Sequence, residues 1–175
     1  RRTLQLASLD NARIEPGSPV PRVPSFRPLS MTLQIYDGDI ERAQAYYERL
    51  GEIETDDERA RFRTRARCTW NWIEMYAPED FRYRIRTEPV QRELSDDVKV
   101  VLGRLVETMR THPELSEDEL AEVTKTMTEG TELDRKTLFP IVYDLLIDRP
   151  KGPKLTTLLV TMGFDRAVPL LERSL

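Results

Sequence analysis

Residues 55–77 read TDDERARFRTRARCTWNWIEMYA and carry the clearest helix signal in the chain. Thr55 and Glu58 have the spacing of a capping box, in which each side chain satisfies a backbone N–H at the start of a helix. Apolar residues then recur at spacings of three and four, as on a buried helix face: Phe62, Ala66, Thr69, Trp70, Ile73 and Tyr76 or Ala77. Pro78 ends the pattern because proline cannot continue a helix. The stretch predicts one long amphipathic helix.

The rest of the chain carries helix signals of the same kind. Ser116 and Glu119 form a second capping box, and Gly51 and Gly163 stand where helices would end. The residues that can begin helices are Asp39, Ser95, Ser116, Asp134 and Asp165. Further apolar stretches over 29–36 and 155–162 predict two short helices, and no run alternates as a strand would. The sequence therefore predicts an all-α fold, an irregular bundle of about eight short helices.

Prolines are concentrated at the start of the chain. Five of them fall within the first 28 residues, at Pro16, Pro19, Pro21, Pro24 and Pro28. This spacing favours extended, polyproline-like backbone. We therefore predict a Pro-rich linker from an upstream domain over 1–28. A helical subdomain with an arginine- and aromatic-rich surface should follow over 29–93, and a C-terminal helical subdomain over 94–175.

The residue types that most catalytic and metal sites need are scarce. Cys68 is the only cysteine and His112 the only histidine, which excludes an intrachain disulfide and every zinc site built from His and Cys. His112 precedes Pro113 and is better explained as an exposed residue at a helix end than as a general base. No Gly-rich phosphate loop and no carboxylate set spaced for a metal occurs. We expect no catalytic residue, no metal site and no cofactor in this chain.

Three further observations bear on where the chain works. No apolar run approaches the roughly 20 residues needed to span a bilayer. No signal peptide opens the sequence, and a lone cysteine is compatible with a reducing compartment. We expect a cytoplasmic protein with no membrane partner.

Positive charge is concentrated in one segment. The whole chain carries a formal net charge of −4, yet residues 59–92 contain nine arginines and only four acidic residues. The rest of the chain is therefore strongly acidic. A basic patch on an acidic body is typical of a surface that meets a polyanion.

Five of these arginines lie along three turns of the predicted long helix: Arg59, Arg61, Arg63, Arg65 and Arg67. Guanidinium groups hold phosphate with paired hydrogen bonds, so this stripe is a candidate RNA-binding face. The alternative is a solvated face whose arginines pair with nearby acidic residues such as those at 56–58. The sequence leaves both interpretations open.

Aromatic rings follow the arginines directly. Trp70 falls on the apolar stripe and is predicted to be core, whereas Trp72 lies off it and is a candidate stacking platform for an unpaired base. If residues 81–86 are extended, Phe81, Tyr83 and Ile85 face one side and the arginines the other. The candidate RNA-binding residues of this second group are Trp72, Arg82, Tyr83, Arg84 and Arg86, and Lys151 and Lys154 join them from a turn that leads into a helix. A loop that merely covers the bundle is the alternative.

Particular strings then resemble a known family. They are RCTWNWIEMYAP at 67–78 with FRYR at 81–84, LFPIVY at 138–143, KGPKL at 151–155, and the later Met162-Gly163. Together they resemble the C-terminal region of class I lysyl-tRNA synthetases, which are largely archaeal enzymes. The resemblance covers about 150 residues and rests on dispersed positions rather than on a catalytic signature.

The resemblance implies a helical cage that receives the anticodon of a transfer RNA, with lysine tRNA as the partner. It also implies an upstream catalytic domain that binds ATP and Mg²⁺, since the HIGH-like and KMSKS-like motifs of that domain do not occur here. The chain is then a tRNA-binding module of a lysine–tRNA ligase and not catalytic alone. A helical adaptor between proteins and a segment that braces a larger enzyme are the alternatives.

Overall fold

The computed structural model describes residues 23–175, and within that part of the chain it contains eight α-helices and no strand. In chain order they are α1 (Phe26–Ile35), α2 (Ile40–Arg49), α3 (Asp56–Met75), α4 (Asp96–Thr111), α5 (Glu117–Thr126), α6 (Arg135–Ile147), α7 (Leu155–Met162) and α8 (Phe164–Glu172). The prediction of an all-α fold is confirmed. None of these helices is long and apolar enough to cross a membrane.

Both predicted capping boxes are formed. The Thr55 hydroxyl accepts a hydrogen bond from the Glu58 N–H at 3.2 Å, and the Glu58 carboxylate accepts one from the Thr55 N–H at 2.9 Å. The same reciprocal pair joins Ser116 and Glu119 at the start of α5. Each box satisfies backbone donors that a helix start otherwise leaves unpaired, so α3 and α5 begin at the residues the sequence predicts.

Some helix boundaries differ from the prediction. Most of the predicted linker over 1–28 lies outside the described residues, but α1 already begins at Phe26 and holds Pro28 in its first turn, where a missing N–H removes no helical bond. Asp165 does not cap the last helix. Gly163, at a φ of +87°, joins α7 to α8 directly, so α8 begins at Phe164.

The buried side chains form two apolar clusters. The N-terminal cluster joins α1, α2 and α3 and contains Leu29, Leu33, Ala43, Tyr47, Ile53, Phe62, Ala66 and Ile73. The C-terminal cluster joins α4 to α8 and also takes in Ile35 and Ile85 from the first half of the chain. Within α3 the buried residues fall on the predicted stripe, with Ala77 buried and Tyr76 exposed. The assignment of two subdomains stays a prediction, since Ile35 and Ile85 belong to the first half of the chain but pack in the C-terminal cluster.

Hydrogen bonds tie the two clusters together, and three of them use well-packed groups. The Tyr36 hydroxyl at the end of α1 donates to the Thr161 carbonyl in α7 at 2.8 Å. The extended segment 82–86 then runs between the halves: the Tyr83 N–H donates to Gln34 Oε1, and the Arg86 N–H donates to the Leu146 carbonyl, both at 2.8 Å. Because these bonds use buried or half-buried groups, they fix how the segment lies between the clusters.

The turn between α1 and α2 is packed directly against α3. Asp37 and Gly38 both adopt left-handed backbone, with φ values of +51° and +80°. A Cβ placed on Gly38 would stand 2.3 Å from Cε2 of the Trp70 indole. Only glycine therefore fits this contact, on both conformational and steric grounds.

We expect Gly38→Ala to destabilise the fold by about 1–3 kcal/mol more than Gly51→Ala does. Gly51 has a similar φ of +69°, but no atom lies within 4 Å of the place where an alanine methyl group would stand, so it reports the backbone cost alone. Urea unfolding of both variants measures the difference. Equal losses would show that the contact between Gly38 and Trp70 does not constrain the turn.

Candidate RNA-binding surface

A groove of about 910 Å³ runs between the two clusters. Its walls are the turn after α1, the C-terminal half of α3, the extended segment 82–86, the end of α6 and one residue of α8. Six arginines line it: Arg42, Arg82, Arg84, Arg86, Arg149 and Arg166. Five carboxylates lie among them: Asp37, Glu74, Glu79, Glu88 and Asp148. We call this feature the inter-cluster groove.

The arginines of the extended segment differ in how firmly they are held. Arg86 is only 21% exposed, donates through Nε to the Asp144 carbonyl at 3.1 Å and forms an ion pair with Asp148. Arg84 is 72% exposed and lies 3.3 Å from an Asp37 oxygen and 3.7 Å from a Glu74 oxygen. Exposed pairs of this kind contribute little to stability. Arg86 therefore serves as a structural tie, whereas Arg84 is available to a ligand.

The predicted alternation is observed over residues 82–85, and Arg86 departs from it because its side chain is only 21% exposed. Ile85 is buried and Tyr83 is half-buried, whereas Arg82 and Arg84 are exposed. The Tyr83 hydroxyl donates to the Met31 carbonyl at 3.3 Å, and burial raises its pKa. Tyr83 is thus fixed in the wall of the groove as an uncharged phenol, while the neighbouring arginines face solvent.

Two aromatic rings that the sequence prediction did not assign to RNA also line the groove. The indole of Trp70 is half-buried beneath Gly38 and reaches the groove wall. Tyr36 lines the same groove, and the Arg42 guanidinium lies 5.1 Å above the centroid of its ring. Rings placed next to guanidinium groups suit the stacking of an unpaired base whose phosphates need cations.

Trp72 does not line the groove. It is half-buried and meets Phe26 and Phe81 edge to face, with ring centroids 5.1 and 5.3 Å apart. The stacking role of Trp72 stays a prediction, but this ring lies outside the groove. Trp70, predicted to be core, packs against the N-terminal cluster and also lines the groove.

The five arginines of α3 do not form one free stripe. Arg59 pairs with Glu48 at 2.7 Å and with Asp56 at 2.9 Å, and Arg61 pairs with Asp57 at 2.8 Å. Arg63 Nε donates to Gln44 Oε1 at 2.8 Å. Arg65 and Arg67 are exposed and make no ion pair or hydrogen bond with the rest of the described chain. The alternative of pairing with nearby acids thus holds for Arg59 and Arg61.

Arg67 is the α3 arginine best placed to extend the groove. It precedes Trp70 by three residues and Glu74 by seven, so all three share one helix face. Trp70 and Glu74 line the inter-cluster groove. The free guanidinium of Arg67 therefore continues the basic lining beyond the groove along α3.

The two predicted lysines lie away from the groove. Lys154 pairs with Glu117 of α5 at 2.8 Å, and the same carboxylate accepts a hydrogen bond from the Thr157 hydroxyl. Lys151 is exposed and lines no part of the groove. Within 23–175, no three side chains of His, Cys, Asp or Glu come together as metal ligands would.

Several residues that line the groove were not predicted from the sequence. Arg42, Arg149 and Arg166 lie outside the arginine-rich segment 59–92, in α2, after α6 and in α8. No local pattern marks them, because only the packing of distant helices brings them to one groove. The Tyr36-Asp37-Gly38 turn did carry a signal, namely a glycine directly after an aromatic and an acidic residue.

The fold and groove define a class of protein: an all-α domain with an arginine-lined concave surface. No family model matches the chain. It is 30% identical over 158 residues to the lysine–tRNA ligase of Borrelia garinii subsp. bavariensis, covering 87% of this chain and 29% of that protein. It is 30% identical over 187 residues to the lysine–tRNA ligase of Methanopyrus kandleri, covering 98% and 32%. The Treponema pallidum lysine–tRNA ligase is 30% identical over 143 residues, covering 81% and 26%.

All three of these relatives are lysine–tRNA ligases. The chain is a lysyl-tRNA synthetase-related domain, and the match lies at the C-terminal end of the relatives. It spans less than a third of the length of these relatives. The predicted resemblance to lysyl-tRNA synthetases is confirmed.

We expect Arg59→Gln to lower the urea midpoint of unfolding at neutral pH, whereas Arg67→Gln leaves it unchanged. Hydrogen bonds from Arg59 and Gln44 lower the pKa of the Glu48 carboxyl. The stabilisation by this pair is thus present at neutral pH and is lost as the pH falls through the lowered pKa, where the carboxylate becomes protonated. The difference between the variants should shrink over the same range. Equal midpoints of the two variants at neutral pH would mean that the ion pairs of Arg59 do not contribute to stability.

Proposed function

We propose that this chain is the anticodon-binding module of a class I lysine–tRNA ligase, and that it contributes tRNA affinity and specificity to the formation of lysyl-tRNA. The observation that carries the proposal is the inter-cluster groove, in which arginines and aromatic rings converge within a chain related to lysine–tRNA ligases. The partner is lysine tRNA, and a ligase that charges tRNA for translation works in the cytoplasm.

The groove suits an unpaired RNA loop better than a duplex. Its arginines come from α2, the segment 82–86, the end of α6 and α8, so cations surround the space instead of following one straight line. A loop can bring phosphates to several of them at once while its splayed bases reach Trp70 and Tyr36. A rigid duplex would meet only the cations on one rim.

Catalysis is assigned to the rest of the ligase, where ATP and Mg²⁺ would bind. His112, the only histidine, is the C-terminal cap of α4 and is exposed, and its ring contacts the Thr111 hydroxyl at 2.8 Å. A general base needs to lie within reach of a bound substrate. His112 lines no part of the groove.

A purely bracing role for the arginines is less well supported. It would require Arg61 and Arg65 to be buried against carboxylates. Arg61 does pair with Asp57, but its side chain is half-exposed, and Arg65 is exposed without an ion pair among the described residues. An adaptor that binds an acidic protein is distinguishable by experiment, because it would not prefer one tRNA over another.

The decisive binding experiment titrates lysine tRNA and a non-cognate tRNA into residues 1–175 across a salt series. Arg82→Gln removes an exposed charge from the groove, and Arg61→Gln removes the same charge from the far face of α3 as the matched control. We expect tighter binding of lysine tRNA. Arg82→Gln should reduce the slope of log K against log salt by about 0.7–0.9, as the loss of one phosphate contact does.

Arg61→Gln should leave both the affinity and the slope close to those of the unaltered chain. A larger effect of Arg61→Gln than of Arg82→Gln would place the RNA on the α3 stripe instead of in the groove. Binding of both tRNAs with equal affinity would reduce the role to a general RNA clamp. The absence of binding by the folded chain would refute the proposal.

A further inference from the structure

The backbone of Asp37 is held at the wall of the inter-cluster groove, while its side chain is 67% exposed. The Asp37 N–H donates to the Gln34 carbonyl at 3.3 Å, and the Gly38 N–H donates to the Leu33 carbonyl at 2.8 Å. Gly38 in turn rests on the Trp70 indole. The left-handed turn therefore has little freedom to move, and it directs Asp37 toward the Arg84 guanidinium, with Oδ1 3.3 Å from Nε.

A carboxylate at this position would weaken the binding of phosphate groups, so it is not expected in a site that binds phosphates alone. The six arginines of the groove are nearly balanced by five carboxylates, and each carboxylate repels an approaching phosphate. A carboxylate is, however, a strong acceptor for a neutral N–H donor, such as the edge of an unpaired base. A groove with paired donors and acceptors thus suits base edges as well as phosphates.

Asp37 is the groove carboxylate best placed for such a role. Asp148 is taken up by its ion pair with Arg86. Glu74 lies farther from Arg84, at 3.7 Å, on a longer and more flexible side chain. Asp37 instead stands next to Tyr36 in sequence and beside the Gly38–Trp70 contact. A base that rests against these rings brings its edge within reach of Asp37 and Arg84.

We propose that Asp37 and Arg84 together read the edge of an unpaired uracil. The Asp37 carboxylate accepts the N3–H of the base, and the Arg84 guanidinium donates to the adjacent carbonyl oxygen. This assignment rests on the proposed function, because lysine anticodons end in two uridines. It makes Asp37 a specificity-determining residue, although removing its negative charge would by itself strengthen the binding of a polyanion.

The test uses an RNA hairpin that carries the lysine anticodon loop. One version carries N3-methyluridine at the two final anticodon positions, which removes the N–H donor without changing the charge. A control version carries 5-methyluridine, which keeps the donor. Fluorescence anisotropy gives the Kd of each hairpin for the unaltered chain, for Asp37→Asn and for Glu79→Gln. Glu79 lines the same groove, so Glu79→Gln removes an equal charge as the matched control.

We expect N3-methylation to weaken binding to the unaltered chain about tenfold or more, the range for a hydrogen bond to a charged group. The 5-methyl control should bind normally. Asp37→Asn keeps an amide oxygen that can accept the N3–H but removes the charge that strengthens this hydrogen bond, so it should weaken binding of the unmodified hairpin and reduce its sensitivity to N3-methylation. Glu79→Gln should keep the full sensitivity. Asparagine tolerates left-handed backbone, so Asp37→Asn should fold normally, and its thermal midpoint checks this.

The outcomes separate this inference from the function on which it rests. If Arg82→Gln weakens hairpin binding but Asp37→Asn behaves like Glu79→Gln, the groove binds RNA and the reading by Asp37 is wrong. If N3-methylation has no effect on the unaltered chain, the reading is wrong for the same reason. If the unaltered chain does not bind the hairpin at all, the proposed function fails and the inference fails with it.

Discussion

The packing of one glycine against one tryptophan determines much of this structure. Gly38 can approach the Trp70 indole because it lacks a Cβ, and this approach sets the turn between α1 and α2 against α3. The turn fixes Tyr36, whose hydroxyl bonds across to Thr161 in α7. The same turn holds Asp37 in reach of Arg84. This contact therefore sets the orientation of the two clusters together with the hydrogen bonds of Tyr83 and Arg86, and it shapes one part of the groove wall.

The groove combines a rigid frame with exposed charge. Tyr83 and Arg86 are tied to Gln34, Asp148 and the α6 backbone, so the extended segment between them cannot swing freely. Arg84 lies between these two anchors with a largely exposed side chain. A guanidinium on a fixed backbone can bind a ligand without a large loss of conformational entropy. This arrangement separates residues that hold the fold from residues whose side chains remain exposed to a ligand.

Local patterns predicted the helices well, because capping boxes and apolar spacing act within a few residues. The capping boxes at Thr55 and Ser116 and the alternation over 82–85 were all visible in the sequence. The groove was not, since Arg42, Arg149 and Arg166 meet only through tertiary packing. Charge density along α3 left two interpretations open, and Arg59 and Arg61 follow the pairing one, with partners in the same helix or in α2. Periodicity placed Trp70 on the buried face, but it does not encode that this ring also reaches the groove beneath Gly38.

Fluorescence of Trp70 tests the central claim most directly, namely that unpaired RNA enters the inter-cluster groove. Trp72→Phe leaves Trp70 as the only tryptophan, and Trp70→Phe leaves Trp72 as the only one. Lysine tRNA should quench the Trp70 fluorescence of the first variant in a saturable manner that follows binding, because a base stacks near the indole. The Trp72 fluorescence of the second variant should change much less. Quenching of Trp72 with Trp70 unaffected would contradict the account and place the RNA outside the groove.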